Sequence, residues 1–205
     1  VGNSTTASRT GTLGAWIKTN TNRGATGADP ALSNSTYGQP TTAATDGTQR
    51  ALTEDALLGI IKDCYVAGGA PNMIMVGPTM KQQISKYMYG GSARIATQYQ
   101  DQGRTPRGGV RVVGAVDVYV SDFSVLDIVP NRFQRERDVW VLDTEFWAIT
   151  YLDGYKTETI AKIGDAERRH ILVDWAVESK NEAASGVVAD IDETAPMTQS
   201  SNGGD

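Results

Sequence analysis

The stretch VDVYVSDFSVLDIVPNRF, residues 116–133, holds two short runs of β-forming residues, VYV and VLDIV, with SDFS between them. Valine, isoleucine and tyrosine favour strands because branched and aromatic side chains suit a pleated, half-buried surface. Serine and aspartate at the break favour a turn, since their side chains bond to nearby backbone. The stretch therefore predicts two neighbouring strands. They stop at Pro130 and Asn131, and the dense charge of NRFQRERD, residues 131–138, follows at once.

Outward from this pair, more strands follow. MIMV, residues 73–76, is a short apolar run of the kind found in a buried strand. VWVLD, residues 139–143, is another. In AITYLDGYKTETI, the Asp153-Gly154 pair predicts a two-residue hairpin turn that sets Leu152 against Tyr155 and Thr150 against Thr157. Gly164-Asp165 marks a further turn. RRHILVDWAVES alternates, with Ile171, Val173, Trp175 and Val177 on one face and His170, Leu172, Asp174 and Ala176 on the other. GVVADI, residues 186–191, reads as a last short strand.

Two helices precede the strand-rich half. In LTEDALLGIIKDCYVAGG, Thr53 suits the cap position, and Glu54 and Asp55 sit where the helix dipole favours negative charge. Leu52 and Leu57 are placed to clasp that end as a staple. Leu57, Ile60, Ile61 and Cys64 form an apolar stripe at helical spacing, and Gly68-Gly69 supplies the stop. Gly77-Pro78-Thr79 opens a second helix over MKQQISKYMY. Helix, strand, helix and then many strands point to layered α/β or α+β packing.

The flanks are different. Residues 1–51 are rich in Gly, Thr, Ser, Asn and Ala, and are expected to be irregular, with Trp16 in LGAWI as the anchor. Residues 192–205 are polar and acidic, and are expected to be disordered. The chain begins at Val1 and not methionine, which leaves two origins open: a processed product, or a piece lacking upstream sequence.

Composition excludes several classes. The chain has 205 residues, enough for one large domain or two small ones that bury roughly 70% of the unfolded surface. With 40% hydrophobic and 21% charged residues it reads as globular. A net charge of −5 argues against a protein that lives by gripping phosphate backbones. No apolar run approaches a membrane span, so no membrane partner is expected. The one cysteine, Cys64, rules out an internal disulfide, and its apolar setting makes it a small buried hydrophobe. A single histidine, His170, cannot found a His-based metal cluster. Sequons at Asn3 and Asn34 lie in a Ser/Thr/Asn-rich segment and read as incidental.

No residue stands out as catalytic, cofactor-binding or metal-ligating, so an enzyme is not expected. GRTPRGGVR, residues 103–111, sets Arg104 and Arg107 among glycines. A phosphate cradle needs a strand before it and a helix after it, whereas here a strand follows, so an interface or solvated loop fits better. In NRFQRERD, Arg132, Arg135 and Arg137 alternate with Glu136 and Asp138. Mixed sign suits ion pairs with another protein surface, with a solvated turn as the plain alternative. Asp165, Glu167, Arg168 and Arg169 form a second mixed cluster. The candidate subunit-interface residues are therefore Arg104, Arg107, Arg132, Arg135, Glu136, Arg137, Asp165, Arg168 and Arg169. Phe146, Trp147 and Tyr151 could make a sugar platform, but at alternating strand positions such rings more often serve core or contact surfaces.

Four segments together carry a resemblance: GGAPNMIMVGPTMKQQISKY, VDVYVSDFSVLDIVPNRF, VWVLDTEFWAITYL and TETIAKIGDAERRHILVDWAVESKNEAASGVV. Their features are a Gly-Gly-x-Pro turn before a short strand and a Pro-started helix, a D-F-x-x-L-x-I-V-P-N-R strand pair, and a late K-x-G-D-A-x-x-R run ending in N-E-x-A-x-G. Over residues 11–191 the chain resembles tailed-phage major capsid proteins of the SU-ten-type subgroup, which have the Hong Kong 97-type fold. The resemblance implies an α+β fold, with an axial domain at 52–145 built on a central sheet and two helices, and peripheral-domain strands at 146–191. It implies a structural protein of the virion, assembled in the host cytoplasm. Copies would associate as hexamers and pentamers of an icosahedral shell around DNA, with other head proteins as further partners and no cofactor. In the family an N-terminal arm, an extended loop and a long spine helix precede this region, and residues 1–50 are not expected to supply a spine helix. Rival readings are a phage tube or decoration protein and, from another class, a β-rich carbohydrate-binding domain.

Overall fold

The computed structural model describes residues 10–33, 40–88 and 116–199. The loop with Arg104 and Arg107, both sequons and the last six residues lie outside these. The described part is α+β, built on a mixed six-stranded sheet. At its centre is β4 (Met73–Val76), parallel to β6 (Val125–Pro130) on one side and antiparallel to β7 (Val139–Leu142) on the other. β5 (Val118–Val120) closes one end against β6. At the other end β10 (Gly186–Val188) pairs with β7, and β1 (Asn20–Asn22) runs parallel to β10, while β2 (Ala31–Leu32) and β3 (Pro40–Thr42) form a separate antiparallel pair. The sheet thus takes strands from residues 20–22 and 186–188 as well as from the stretch 73–142.

Alternation sorts the side chains onto two faces. Ile74, Val76, Leu126, Ile128, Val139, Val141 and Val188 point to the first face and are buried. Helix α2 (Glu54–Val66) covers it with Leu57, Ile60, Ile61 and Cys64, and helix α3 (residues 78–88) adds Met80 and Ile84. On the second face a smaller cluster of Ile17, Trp140, Leu142, Val187 and Ala189 lies under the short helix α1 (Leu13–Trp16). The anchoring role expected of LGAWI thus falls to Leu13 and Ile17, the latter fully buried.

Helix α2 starts as its sequence predicts. The Thr53 side chain accepts a hydrogen bond of 3.2 Å from the Ala56 amide, and Gly68 takes φ +89° just past the end. Thr53→Ala should cost about 1 kcal/mol, the usual value of such a cap. For a chain of this size the melting midpoint would then fall by roughly 2–4 °C. An unchanged thermal melt would show that the cap contributes nothing.

Two expectations need correction. The Asp153-Gly154 hairpin does not form, and Leu152 does not pair with Tyr155. β8 (Trp147–Ile163) runs through both residues and pairs with β9 (Ala166–Ser179), from Trp147↔Ser179 to Ile163↔Ala166. A type I′ turn needs positive φ at both central residues. Neither Asp153 nor Gly154 has it, whereas Gly164 sits at φ +77°. The irregularity at Asp153 survives only as register shifts on either side of it. One long ladder satisfies more backbone groups than two short ones, and that decides the turn.

The second correction concerns the tail. Through residue 199 it is part of the fold. Met197 is 5% exposed and belongs to the main core. The Thr198 amide donates to Leu52 O at 3.0 Å, and Thr198 O accepts from the Glu54 amide at 2.9 Å. That last bond satisfies one of the amides left free at the start of α2. Met197 and the two backbone bonds of Thr198 hold this stretch through residue 199.

Candidate subunit interface

The charged turn after β6 was expected to face another subunit. Most of its charge is used within the chain. Glu136 reaches the start of α3, where its carboxylate accepts from the Thr79 amide at 3.1 Å and the Met80 amide at 3.3 Å. A carboxylate is favoured there by the helix dipole and the unsatisfied amides. A Cβ built on Gly77 would sit 2.2 Å from Glu136 Oε2, so a side chain at position 77 would push the carboxylate away from this cap.

Arg135 points the other way. One of its guanidinium nitrogens, Nη2, donates to both oxygens of Asp46, each at 2.8 Å. That bond holds the Asp46 carboxyl below its usual range. Arg137 donates to Gly47 O at 3.1 Å and to Asp190 Oδ1 at 3.3 Å. Asp190 in turn accepts from the Gly24 amide at 3.1 Å. Burial pushes the Asp138 carboxyl up, against the pull of Arg135, whose Nε lies 3.9 Å away. This cluster ties the turn to residues 22–29, to 43–50 and to the chain after β10. The Gly/Thr/Asn-rich segment is held in place by it.

Arg132 is different. It is exposed, and no hydrogen bond or ion pair engages its side chain among the described residues. Beside it Phe133 is 92% exposed, the most exposed large apolar side chain described. Phe133 stands at the mouth of a groove of about 470 Å³ whose floor includes Leu13, Met75, Trp140 and Val187.

The second face of the sheet is covered unevenly. Under α1 it is closed, and Met73 and Met75 are half-buried. Beyond them the outward residues of β5 and β6 are bare: Val118, Val120, Val125 and Val129. Register places Val129 beside Met75, Asp127 between Met73 and Val118, and Val125 beside Val120. Asp127 is thus an exposed carboxylate among valines, and no basic side chain pairs with it among the described residues.

The remaining candidates lie on the β8–β9 ribbon. Asp165 is in its tip turn. Arg169 pairs with Glu167 at 2.8 Å, while Arg168 stands exposed opposite Ile160 without an ionic partner among the described residues. His170 faces Glu158 at 3.4 Å. Ile149, Tyr151, Ile171 and Trp175 leave the ribbon with exposed apolar surface. Of the aromatics at its base, Trp147 is taken up by the core. The Trp147 ring packs against the second core, and its indole N–H donates to Ser185 Oγ at 2.9 Å.

Cys64 is fully buried against the sheet, and burial pushes its thiol up to about 12. A thiol held protonated in this way is chemically inert at neutral pH.

Sequence reasoning located the charged turn but not its partners. Asp46 and Asp190 lie in ordinary-looking loops, and only the fold brings them to Arg135 and Arg137. The bare valines were legible as strand residues, but which face stays open was not.

The family model for SU10 major capsid protein matches residues 1–192 of the chain. Among solved structures, the holo-SrpI encapsulin complex from Synechococcus elongatus is similar at 11% identity and a TM-score of 0.40. The match covers 71% of this chain and 52% of the encapsulin chain, so the chain spans about half of that protein's length. No curated protein matches the sequence.

Proposed function

This chain belongs to the SU10 major capsid protein family, whose members are structural and not enzymatic, and from that premise we propose that it forms hexamers and pentamers of an icosahedral phage head enclosing DNA. The family match over nearly the whole chain carries this reading. The fold supports it in two ways. A sheet with one half-bare face and a long ribbon with exposed apolar side chains present surface that a monomer has no use for. An isolated two-stranded ribbon is also only marginally stable in water without something to pack on. The net charge of −5 fits a wall that encloses DNA without adhering to it.

Electron microscopy of the purified protein, with light scattering for mass, tests the proposal. Rings of five or six, sheets or shells are the expected result. A protein that remains monomeric at every concentration overturns it.

The candidate contacts are Arg132 at the charged turn and Asp165, Arg168 and Arg169 at the ribbon tip. Arg135, Glu136 and Arg137 take part through the turn they shape, since each is already bonded within the chain. Arg168→Glu is expected to lower the assembled fraction and leave the circular dichroism spectrum unchanged, because the side chain is exposed and has no ionic partner among the described residues. Assembly equal to wild type would remove the ribbon tip from the contact surface.

A further inference from the structure

The bare half of the sheet and the Arg132-Phe133 pair complement each other in chemistry. The first is a strip of four valines with one carboxylate, Asp127, and no cation to balance it among the described residues. The second is one cation and one aromatic ring, adjacent in sequence and both exposed. We propose that the outer face of β5 and β6 is a docking surface for a second copy of this chain, which brings its Phe133 onto the valines and its Arg132 to Asp127. The proposal rests on the capsid reading and names the surface through which two subunits meet.

Burial of the strip needs both parts. Apolar cover alone would strand the Asp127 carboxylate away from water, at a cost that grows as the site dries. A guanidinium removes that cost, because it is permanently charged and offers a planar fork to a carboxylate. The chain's own Arg132 does not do this. Asp127 lies three residues inside its strand, about 10 Å from the strand's end, and the two side chains form no ion pair. A second copy always carries the complementary pair, whereas an unrelated partner would have to supply it separately. Among the described residues β5 is also the edge strand of the sheet, and an exposed edge is where another chain pairs most readily.

Charge reversal tests the contact. Asp127→Arg and Arg132→Asp, each alone, place like charges together and are expected to reduce assembly by more than about tenfold, since like charges brought together at an interface are strongly unfavourable. The double variant restores the pair with its sign inverted and is expected to recover most of the wild-type assembly. Phe133→Ser should weaken assembly with no fall in melting temperature, since the ring contributes little to the isolated fold. The inference is overturned if the single reversals assemble like wild type, or if the double variant is no better than either single one. In both cases an assembling wild type leaves the capsid reading standing. A wild type that stays monomeric overturns both.

Discussion

Asp190→Ala is expected to cost about 3 kcal/mol, at the low end of the range for stripping one partner from a buried ion pair. Asp190 is 1% exposed. One oxygen accepts from the Gly24 amide and the other from Arg137. Alanine would leave a buried amide unsatisfied and a half-buried guanidinium short of one partner. Arg137 would keep Gly47 O and the more distant Asp46, which is why the low end applies. The backbone adds to the cost. Asp190 has φ +60°, a region that aspartate and asparagine tolerate better than alanine. Asp190→Asn should therefore lose less, since it keeps an acceptor and the backbone preference. Urea unfolding of the two variants checks the order. If both match wild type, the cluster does not hold the fold. Limited proteolysis gives a second reading: the alanine variant should be cut faster within residues 43–50, which this cluster pins.

Gly186→Ala should be nearly as damaging, by about 1–3 kcal/mol, the usual cost of overpacking a well-filled core. A Cβ at this position would sit 2.5 Å from Ile60 Cγ2, 2.9 Å from Asn20 O and 3.1 Å from Cys64 Sγ. The first contact belongs to α2 and the second to the backbone of β1. At Gly186 the helix lies against the sheet with no room for a side chain, so one methyl group pushes on both layers. A side chain could turn aside, but the Asn20 carbonyl belongs to the sheet and can move only with β1. Ile60→Leu removes the Cγ2 atom. The double variant Gly186→Ala/Ile60→Leu should then recover part of the loss, a non-additivity that a double-mutant cycle measures. A single variant as stable as wild type would mean that helix and sheet can separate freely at this point.

The parts of the fold legible in the sequence were those fixed by local chemistry. Helix α2 announced itself through Thr53, its acidic first turn, the Leu57–Cys64 stripe and Gly68. The strands at 73–76, 118–120, 125–130 and 139–142 followed from β-branched runs bounded by turn residues. Asn20–Asn22 was invisible because Asn-Thr-Asn has no strand signature. It forms a strand only because β10 offers a free edge beside it. The Asp153-Gly154 turn failed for the opposite reason: its local signal was strong, and a longer ladder overrode it.

The candidate interface divides in the same way. The order of residues along the chain shows which of them carry charge, which segments are apolar and, through the resemblance, the class of protein. The tertiary structure decided which charges remain available. Arg135, Glu136 and Arg137 read like Arg132 in sequence, yet Asp46, the α3 amides and Asp190 engage the three and leave Arg132 alone. The tertiary structure also decided that the valines of β5 and β6 stay bare while Trp140 and Leu142 are covered. Strand propensity acts between neighbours along the chain. Pairing and cover depend on residues brought together from 20 to 190, and only the closed sheet sets those distances.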